Sequence, residues 1–327
     1  MRAFEYVEAR GIEDAVTRGG EPTSRFIAGG TNLVDLLRLE VERPSKVVDL
    51  NHVLSSDIHW DERGLTLGAL ARNSDVAFSA VVQREFPLLA EAILAGASPQ
   101  VRNLASTGGN LLQRTRCSYF RDAGVPACNK RKPGSGCAAL GGYSRMHAVL
   151  GVSEHCIAAH PSDMAVALLA LDAVVTTRRA EGARQIPLGE LHTLPGASPD
   201  VETVLSPGEL ITEVFVPASP RARRSTYLKV RDRESFAFAL ASAAVALELD
   251  GGTIRSARIA LGGVGVKPWR AVDAEAALTG ASPTPETYAA AAKRALNGAK
   301  TTPDNAFKVA LGERVVARAL ELAGARS

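Results

Sequence analysis

Four residues of this 327-residue chain carry the most reactive chemistry in it: Cys117, Cys128, Cys137 and Cys156, with no cysteine elsewhere. They are separated by 10, 8 and 18 residues, and Pro126, Pro133, Gly134 and Gly136 let the intervening segment fold back on itself. Four thiolates from one loop can surround one metal centre. Zinc sites usually include a tight C-x2–4-C pair, and none exists here. Disulfides would suit an oxidising compartment and allow three pairings. Thiolates also suit iron–sulfur clusters, but the common ferredoxin spacings are absent. The spacing therefore leaves cluster, zinc and disulfides open. The loop is basic, with Arg114, Arg116, Arg121, Lys130, Arg131 and Lys132 against Asp122. Those cations would either raise the potential of an anionic cluster or form a solvated docking face for an acidic partner.

Two glycine-rich turns offer a second kind of chemistry. Phe26-Ile27-Ala28-Gly29-Gly30-Thr31-Asn32-Leu33 runs from a strand pattern into a helical one, exposing successive N–H groups where a pyrophosphate can bind. It is neither G-x-G-x-x-G nor a P-loop. The second, Arg102 to Leu111, joins Gly108 and Gly109 to Ser106, Thr107 and Asn110, whose side chains could donate to phosphate oxygens. Together the turns suit one extended dinucleotide held from two sides, the alternative being two unrelated tight turns. Asp163, at a helix start after His160-Pro161-Ser162, is either a first-turn carboxylate or an acceptor for a ligand hydroxyl. Lys229 alternates with apolar neighbours, as a solvent-facing lysine or as a charge beside a flavin. The histidines His52, His59, His147, His155 and His192 show no ligand spacing. No G-x-S-x-G, H-E-x-x-H or paired-carboxylate constellation is present, which favours chemistry through a bound cofactor.

The elements that must hold these residues alternate between helix and strand. The pattern predicts a helix at Ile12 to Val16, strands at Phe26 to Ala28, Lys46 to Leu50 and Leu65 to Gly68, and helices at Ser74 to Val82 and Pro87 to Leu94. Residues 114–137 read as an irregular loop, and a loop that long is usually functional or disordered. Asp163 to Leu171 then reads as helix and Ala173 to Thr177 as strand. The Pro, Ala, Ser and Arg of Pro217 to Arg224 mark a domain boundary. Beyond it come β-rich segments at Thr226 to Val230, Phe236 to Leu249 and Ile254 to Gly262. Thr284-Pro285 and Thr302-Pro303 each place an N-cap before a first-turn proline, and Phe307, Leu311, Val315, Ala319 and Leu322 share one helical face. With 46% hydrophobic residues and a net charge of +3, nothing favours nucleic acid or a membrane surface. No run of 18 apolar residues exists, and the first residues lack a signal-peptide core, so no export signal is expected in the chain itself.

Taken in order, Ile27-Ala28-Gly29-Gly30-Thr31, Arg102-Asn103-x-Ala105-Ser106-Thr107-Gly108-Gly109-Asn110, His160-Pro161-Ser162-Asp163, Pro207-Gly208-Glu209-Leu210-Ile211 and Tyr227-x-Lys229-Val230 resemble the medium, FAD-binding subunits of the xanthine dehydrogenase, or molybdenum hydroxylase, family. The cysteine loop resembles the subset with an extra [4Fe–4S] cluster. Its runs Gln113 to Cys117, Cys128 to Arg131 and Gly134 to Leu140 are most similar to bacterial three-subunit periplasmic aldehyde oxidoreductases. The resemblance implies an α+β fold: a two-lobed FAD domain of the vanillyl-alcohol-oxidase (PCMH) type over 1–220, carrying an Fe–S loop at about 112–158, then a smaller α+β domain over 221–327. It implies that Arg25, Phe26, Ile27, Ala28, Gly29, Gly30, Thr31, Asn32 and Leu33 wrap the FAD pyrophosphate, that Ser106, Thr107, Gly109 and Asn110 complete the phosphate site, and that Asp163 contacts FAD. Ile211 and Lys229 would lie near the flavin, and Cys117, Cys128, Cys137 and Cys156 would hold the cluster. Ser106 stands where many relatives have threonine and keeps the hydroxyl. Electrons would arrive from a large molybdenum-cofactor subunit through the [2Fe–2S] clusters of a small subunit, in a heterotrimer, and leave to an external acceptor. The alternatives are a subunit of a 4-hydroxybenzoyl-CoA-reductase-like enzyme and a cluster-free interaction subunit with disulfides. The expected location is the periplasm by co-export with a signal-bearing partner, or else the cytoplasm.

Overall fold

The computed structural model describes residues 1–326. Its strands form three sheets. The first is parallel, with β1 (Glu5–Glu8), β2 (Ser24–Ile27) and β3 (Lys46–Asp49) in the order β1-β3-β2. The second is antiparallel, with β4 (Ile58–Asp61), β5 (Gly64–Gly68), β6 (Val174–Arg179), β7 (Gly182–Pro187) and β8 (Leu210–Pro217) in the order β4-β5-β8-β6-β7. The third, also antiparallel, has β9 (Ser225–Val230), β10 (Ala241–Asp250), β11 (Thr253–Gly262) and β12 (Trp269–Arg270) in the order β12-β11-β10-β9. This is a mixed α+β architecture. The first glycine-rich turn leaves the carboxyl end of β2, where open parallel sheets bind their ligands.

Two main cores follow from the sequence pattern. The helix Asp163–Ala170 is apolar all round, and Met164 through Ala170 are all buried. A helix with no polar face must be covered on every side. It packs against the helix Pro87–Ala95 on one side and against β10 and β11 on the other. In β10 the side chains alternate, so Ala244 joins this first core while Ala243, Val245 and Leu247 join the second. That second core lies under the helices Val272–Leu278, Pro285–Ala295 and Phe307–Gly324. Val149 and Leu150, at the end of the cysteine segment, belong to it and tie that segment to the third sheet.

Several expectations need correction. The helix expected over Ser74 to Val82 is two, Asn73–Phe78 and Ala80–Glu85, broken at Ser79, whose ψ of 123° is extended. Thr284 caps its helix by accepting from the Thr287 N–H, but Thr302 and Pro303 begin a turn, and the last helix starts four residues later without a side-chain cap. The buried face of that helix is Lys308, Gly312, Val315, Val316, Ala319, Leu320 and Ala323. Phe307 is exposed, so the face is rotated from the expected one. The rotation carries Lys308 into the core, where its ammonium donates to the Gly263 carbonyl at 2.8 Å. Of the segment Phe236 to Leu249, only the part from Ala241 is strand. The segment 114–137 is irregular apart from the short helix Ser118–Arg121.

Candidate cofactor site

The two glycine-rich turns are in contact, and a missing side chain is the reason. A Cβ on Gly29 would lie 1.8 Å from the Leu104 carbonyl oxygen, so only glycine lets the turn after β2 approach the second turn. Arg72 secures the junction by donating to Leu104 O at 2.6 Å and to Asn51 Oδ1 at 3.3 Å, and Asn51 donates to Ala28 O. The turns differ in what they can offer a ligand. In the second, the N–H groups of Thr107 and Gly108 donate to Ala71 O and Ala69 O. Ser106 caps Gly109 N–H at 3.3 Å, and the Thr107 hydroxyl donates to Ala71 O at 3.0 Å. The Thr107 side chain is fully buried, and its hydroxyl satisfies the nearest carbonyl. In the first turn, the N–H groups of Gly29, Gly30, Thr31 and Asn32 donate to no carbonyl or side chain among the described residues. The first turn thus has N–H groups free to receive an anion, and the second packs against it.

From this junction a cavity extends in two directions. One arm, of about 290 Å³, is lined by residues 25–33 together with Leu36, Leu50, Leu54 and Ile211. The other, of about 800 Å³, is lined by Asn110, Arg102, Arg116, Asp163, Lys229 and Phe238 among others. Thr31, Asn32 and Gly109 line both, at the bend. Ile211 and Lys229, expected together beside the flavin, thus lie on different arms. Asn32, Asn73, Arg102 and Arg121 line the larger arm, and each also has a polar atom, Asn32 Nδ2, Asn73 Oδ1, Arg102 Nε and Arg121 Nη1, that is buried without a partner.

Asp163 is held at the mouth of its helix by Ser162, which caps the Ala165 N–H at 2.9 Å and also donates to Asn110 Oδ1. The Asp163 carboxylate accepts from Tyr227 Oη at 2.5 Å and from Lys229 Nζ at 2.7 Å. Lys229 is not solvent-facing; its side chain is 3% exposed, and it also donates to Ala95 O. Burial, with the Asp163 charge beside it, pushes the Tyr227 phenol well above its usual range. Tyr227 is a component that the sequence quoted only as part of a motif.

The cysteine loop packs beside the larger arm. A second cavity of about 360 Å³ shares Arg116, Pro161, Asp163 and Phe238 with that arm and reaches Cys117 and His147. All four cysteines are free thiols. Cys128 and Cys137 face each other in a bridge closed by Asn129 N–H to Gly136 O at 2.7 Å and Ala138 N–H to Ala127 O at 2.9 Å. Burial pushes the Cys117 thiol up to about 11, opposed by the Phe120 and Tyr119 N–H groups and reinforced by the charges of Cys128 and Cys156. The Cys156 thiol is also raised by burial, with Lys130 opposing and Cys137 and Cys128 reinforcing. The charges of Cys128 and Cys156 thus reach Cys117, and those of Cys137 and Cys128 reach Cys156. Among the described residues no three His, Cys, Asp or Glu side chains come close enough to ligate a single metal ion.

The basic residues of the loop have other partners than expected. Arg114 pairs with Glu42 and, at 2.6 Å, with Glu202; Lys130 pairs with Glu202, and Arg121 with Asp35. Arg131 donates to the carbonyls of Tyr119, Phe120, Asp122 and Val125, which fixes the course of the loop. Arg116 is left over the Phe238 ring at 5.3 Å, with its pKa lowered to about 10 by burial. The His147 imidazole lies with Nε2 3.1 Å from Cys117 Sγ; burial, with Lys308 adding, holds it below the usual histidine range. Sequence spacing gave no signal for this histidine, because its proximity to Cys117 arises across 30 residues of loop.

Known proteins agree with this geometry. Residues 2–219 match the family model described as the FAD binding domain in molybdopterin dehydrogenase, and residues 225–323 match the CO dehydrogenase flavoprotein C-terminal domain. The chain is 49% identical to the aldehyde oxidoreductase FAD-binding subunit PaoB of Escherichia coli K12, with all of both chains covered. It is 31% identical to subunit alpha of the 6-hydroxypseudooxynicotine dehydrogenase complex of Paenarthrobacter nicotinovorans, over 92% of this chain and 86% of that one. Among solved structures it superposes on carbon monoxide dehydrogenase from Hydrogenophaga pseudoflava with a TM-score of 0.77 at 27% identity, covering 99% of this chain and 98% of that one. Two family models that together span most of the chain, a full-length relative at 49% identity and a bent cavity with an unpartnered N–H turn at its corner lead to one conclusion: the chain belongs to the FAD-binding medium subunits of the molybdenum hydroxylase family, oxidoreductases that include xanthine and carbon monoxide dehydrogenases.

Proposed function

We propose that this chain is the FAD- and [4Fe–4S]-binding electron-transfer subunit of an aldehyde-oxidising molybdenum hydroxylase. The observation that supports the cluster half is that one loop supplies four free thiols whose charges act on one another, with Cys117 reaching a cavity beside the larger arm. When bound, FAD accepts electrons and releases them to an acceptor, and the cluster adds a one-electron centre. The residues of the two turns and the cavity fit FAD. Gly29 to Asn32 present N–H donors to a pyrophosphate, with Arg25 to Ile27 and Leu33 continuing that wall and Ser106, Gly109 and Asn110 bracing it. The larger arm suits the isoalloxazine, because Arg102 and Arg116 supply positive charge where reduction adds negative charge, and Lys229, paired with Asp163, lines the same arm. The apolar smaller arm, with Ile211, suits the adenine end. Cys117, Cys128, Cys137 and Cys156 would be the ligands, each losing its proton on binding, so that cluster loading rises with pH.

The aldehyde as substrate class rests on the relative PaoB, whose printed name is aldehyde oxidoreductase. Oxidation itself belongs to a partner, since no acid–base constellation occurs in this chain. The expected partners are a large molybdenum-cofactor subunit and a small [2Fe–2S] subunit in a heterotrimer, with periplasmic location by co-export. The division at residue 220 is supported by the two family models and by the sheet change between β8 and β9. Analysis of purified chain for iron and acid-labile sulfide tests the reading. About four of each, with a flavin absorption band, are expected; iron-free protein with full FAD would reduce the chain to a flavin subunit alone.

A further inference from the structure

We infer that His147 sets the reduction potential of the centre at the four cysteines by donating its Nε2–H to the Cys117 sulfur. The inference rests on the proposed cluster and concerns a residue that the thiol ligand set does not include. Four features of the structure support it. The contact is 3.1 Å, within the range of a hydrogen bond to sulfur, and the histidine is 4% exposed, so water does not compete. The other ring nitrogen, Nδ1, is buried without a partner. That fixes the tautomer once Cys117 is a thiolate. A proton on Nδ1 would leave a buried donor unmade and set a lone pair against an anionic sulfur, whereas a proton on Nε2 gives the sulfur its hydrogen bond and leaves only an acceptor unpaired.

The ring is held from outside the cysteine loop. Its backbone N–H donates to Ser144 O at 2.9 Å. Ser144 is fastened to the turn before the last helix, by its N–H to Asp304 Oδ2 at 2.9 Å and its hydroxyl to Thr302 Oγ1 at 2.6 Å. Asn305 donates to Ala148 O on the other side of the histidine. The Tyr119 ring lies against it with centroids 6.1 Å apart. The C-terminal domain therefore holds the imidazole in place rather than leaving it to a flexible loop. Hydrogen bonds to cluster sulfurs stabilise the reduced, more negative state and raise the potential. The structural role of the otherwise unexplained Thr302-Pro303-Asp304-Asn305 turn would be to aim this ring.

The test is a redox titration of the cluster, followed by electron paramagnetic resonance, on the purified complex carrying His147→Phe, His147→Asn or His147→Gln. A glutamine amide reaches the position of Nε2, and an asparagine amide reaches only that of Nδ1. In Phe and Asn the equilibrium for cluster reduction should become about tenfold less favourable, a downward displacement of about 59 mV for a one-electron couple. Gln should stay near the wild type. Equal potentials in all forms, equal displacements in Gln and Asn, or loss of iron from both Gln and Asn would each overturn the inference. Failure of the underlying reading looks different, because the wild-type complex would then lack the irons beyond those of its [2Fe–2S] subunit.

Discussion

The buried pair Lys229 and Asp163 invites a quantitative test, because it joins β9 to the helix Asp163–Ala170 at the wall of the FAD cavity. The two charged groups are 2.7 Å apart, and their side chains are 3% and 10% exposed. Lys229→Met keeps the length of the side chain and removes the charge. It leaves the Asp163 carboxylate with Tyr227 Oη as its remaining donor and takes a hydrogen bond from Ala95 O. Removing one member of a buried ion pair typically costs about 3–5 kcal/mol, because the survivor stays desolvated and uncompensated. At roughly 2–4 °C per kcal/mol for a domain of this size, the loss is about 6–20 °C in Tm. Asp163→Asn retains an acceptor for Tyr227 and should cost less. The double variant should recover much of the Lys229→Met loss, since it no longer buries a lone carboxylate. Differential scanning calorimetry of the FAD-free protein measures all four forms. A change below about 2 °C for Lys229→Met, or strictly additive losses, would refute the claim that the pair is desolvated and coupled.

Two further outcomes follow from single positions. Lys308 is fully buried, and burial lowers its pKa to about 7, against about 10.4 in an unfolded chain. Below pH 7 both states carry the proton and the full cost of the buried charge is present; between the two values the unfolded state binds more protons, so stability rises with pH by up to about 1.4 kcal/mol per unit. Lys308→Met should therefore be more stable than wild type at pH 6, by the order of 3 kcal/mol after the lost bond to Gly263 O, and the difference should shrink by pH 9. A pH-independent difference in denaturant midpoints would contradict this. For the cavity, Gly29→Ala places a methyl 1.8 Å from a main-chain oxygen and should lower the FAD-to-protein absorbance ratio severely. Gly141→Ala, where nothing lies within 4 Å, should leave it unchanged; full flavin in both variants would show that the two turns need not touch.

The sequence by itself determined what is local. Glycines beside hydroxyls and amides identified the turns, an unbroken apolar run identified the core helix, and the order of five motifs identified the family, since each depends on neighbours a few residues apart. It also determined that thiol chemistry lies within one loop. Only tertiary structure decided how these pieces are used. In the second turn, Thr107 and Gly108 are tied to carbonyls of residues 69 and 71. The loop's cations were consumed by Glu42, Glu202 and Asp35, carboxylates with no fixed sequence distance from them. The last helix turned its face to bring Lys308 inward, and His147 met Cys117 because a turn of the second domain holds it there. Periodicity reports which side of an element is apolar. It carries no information about which distant carboxylate, carbonyl or sulfur will lie opposite, because those pairings are fixed only when separate elements are packed together.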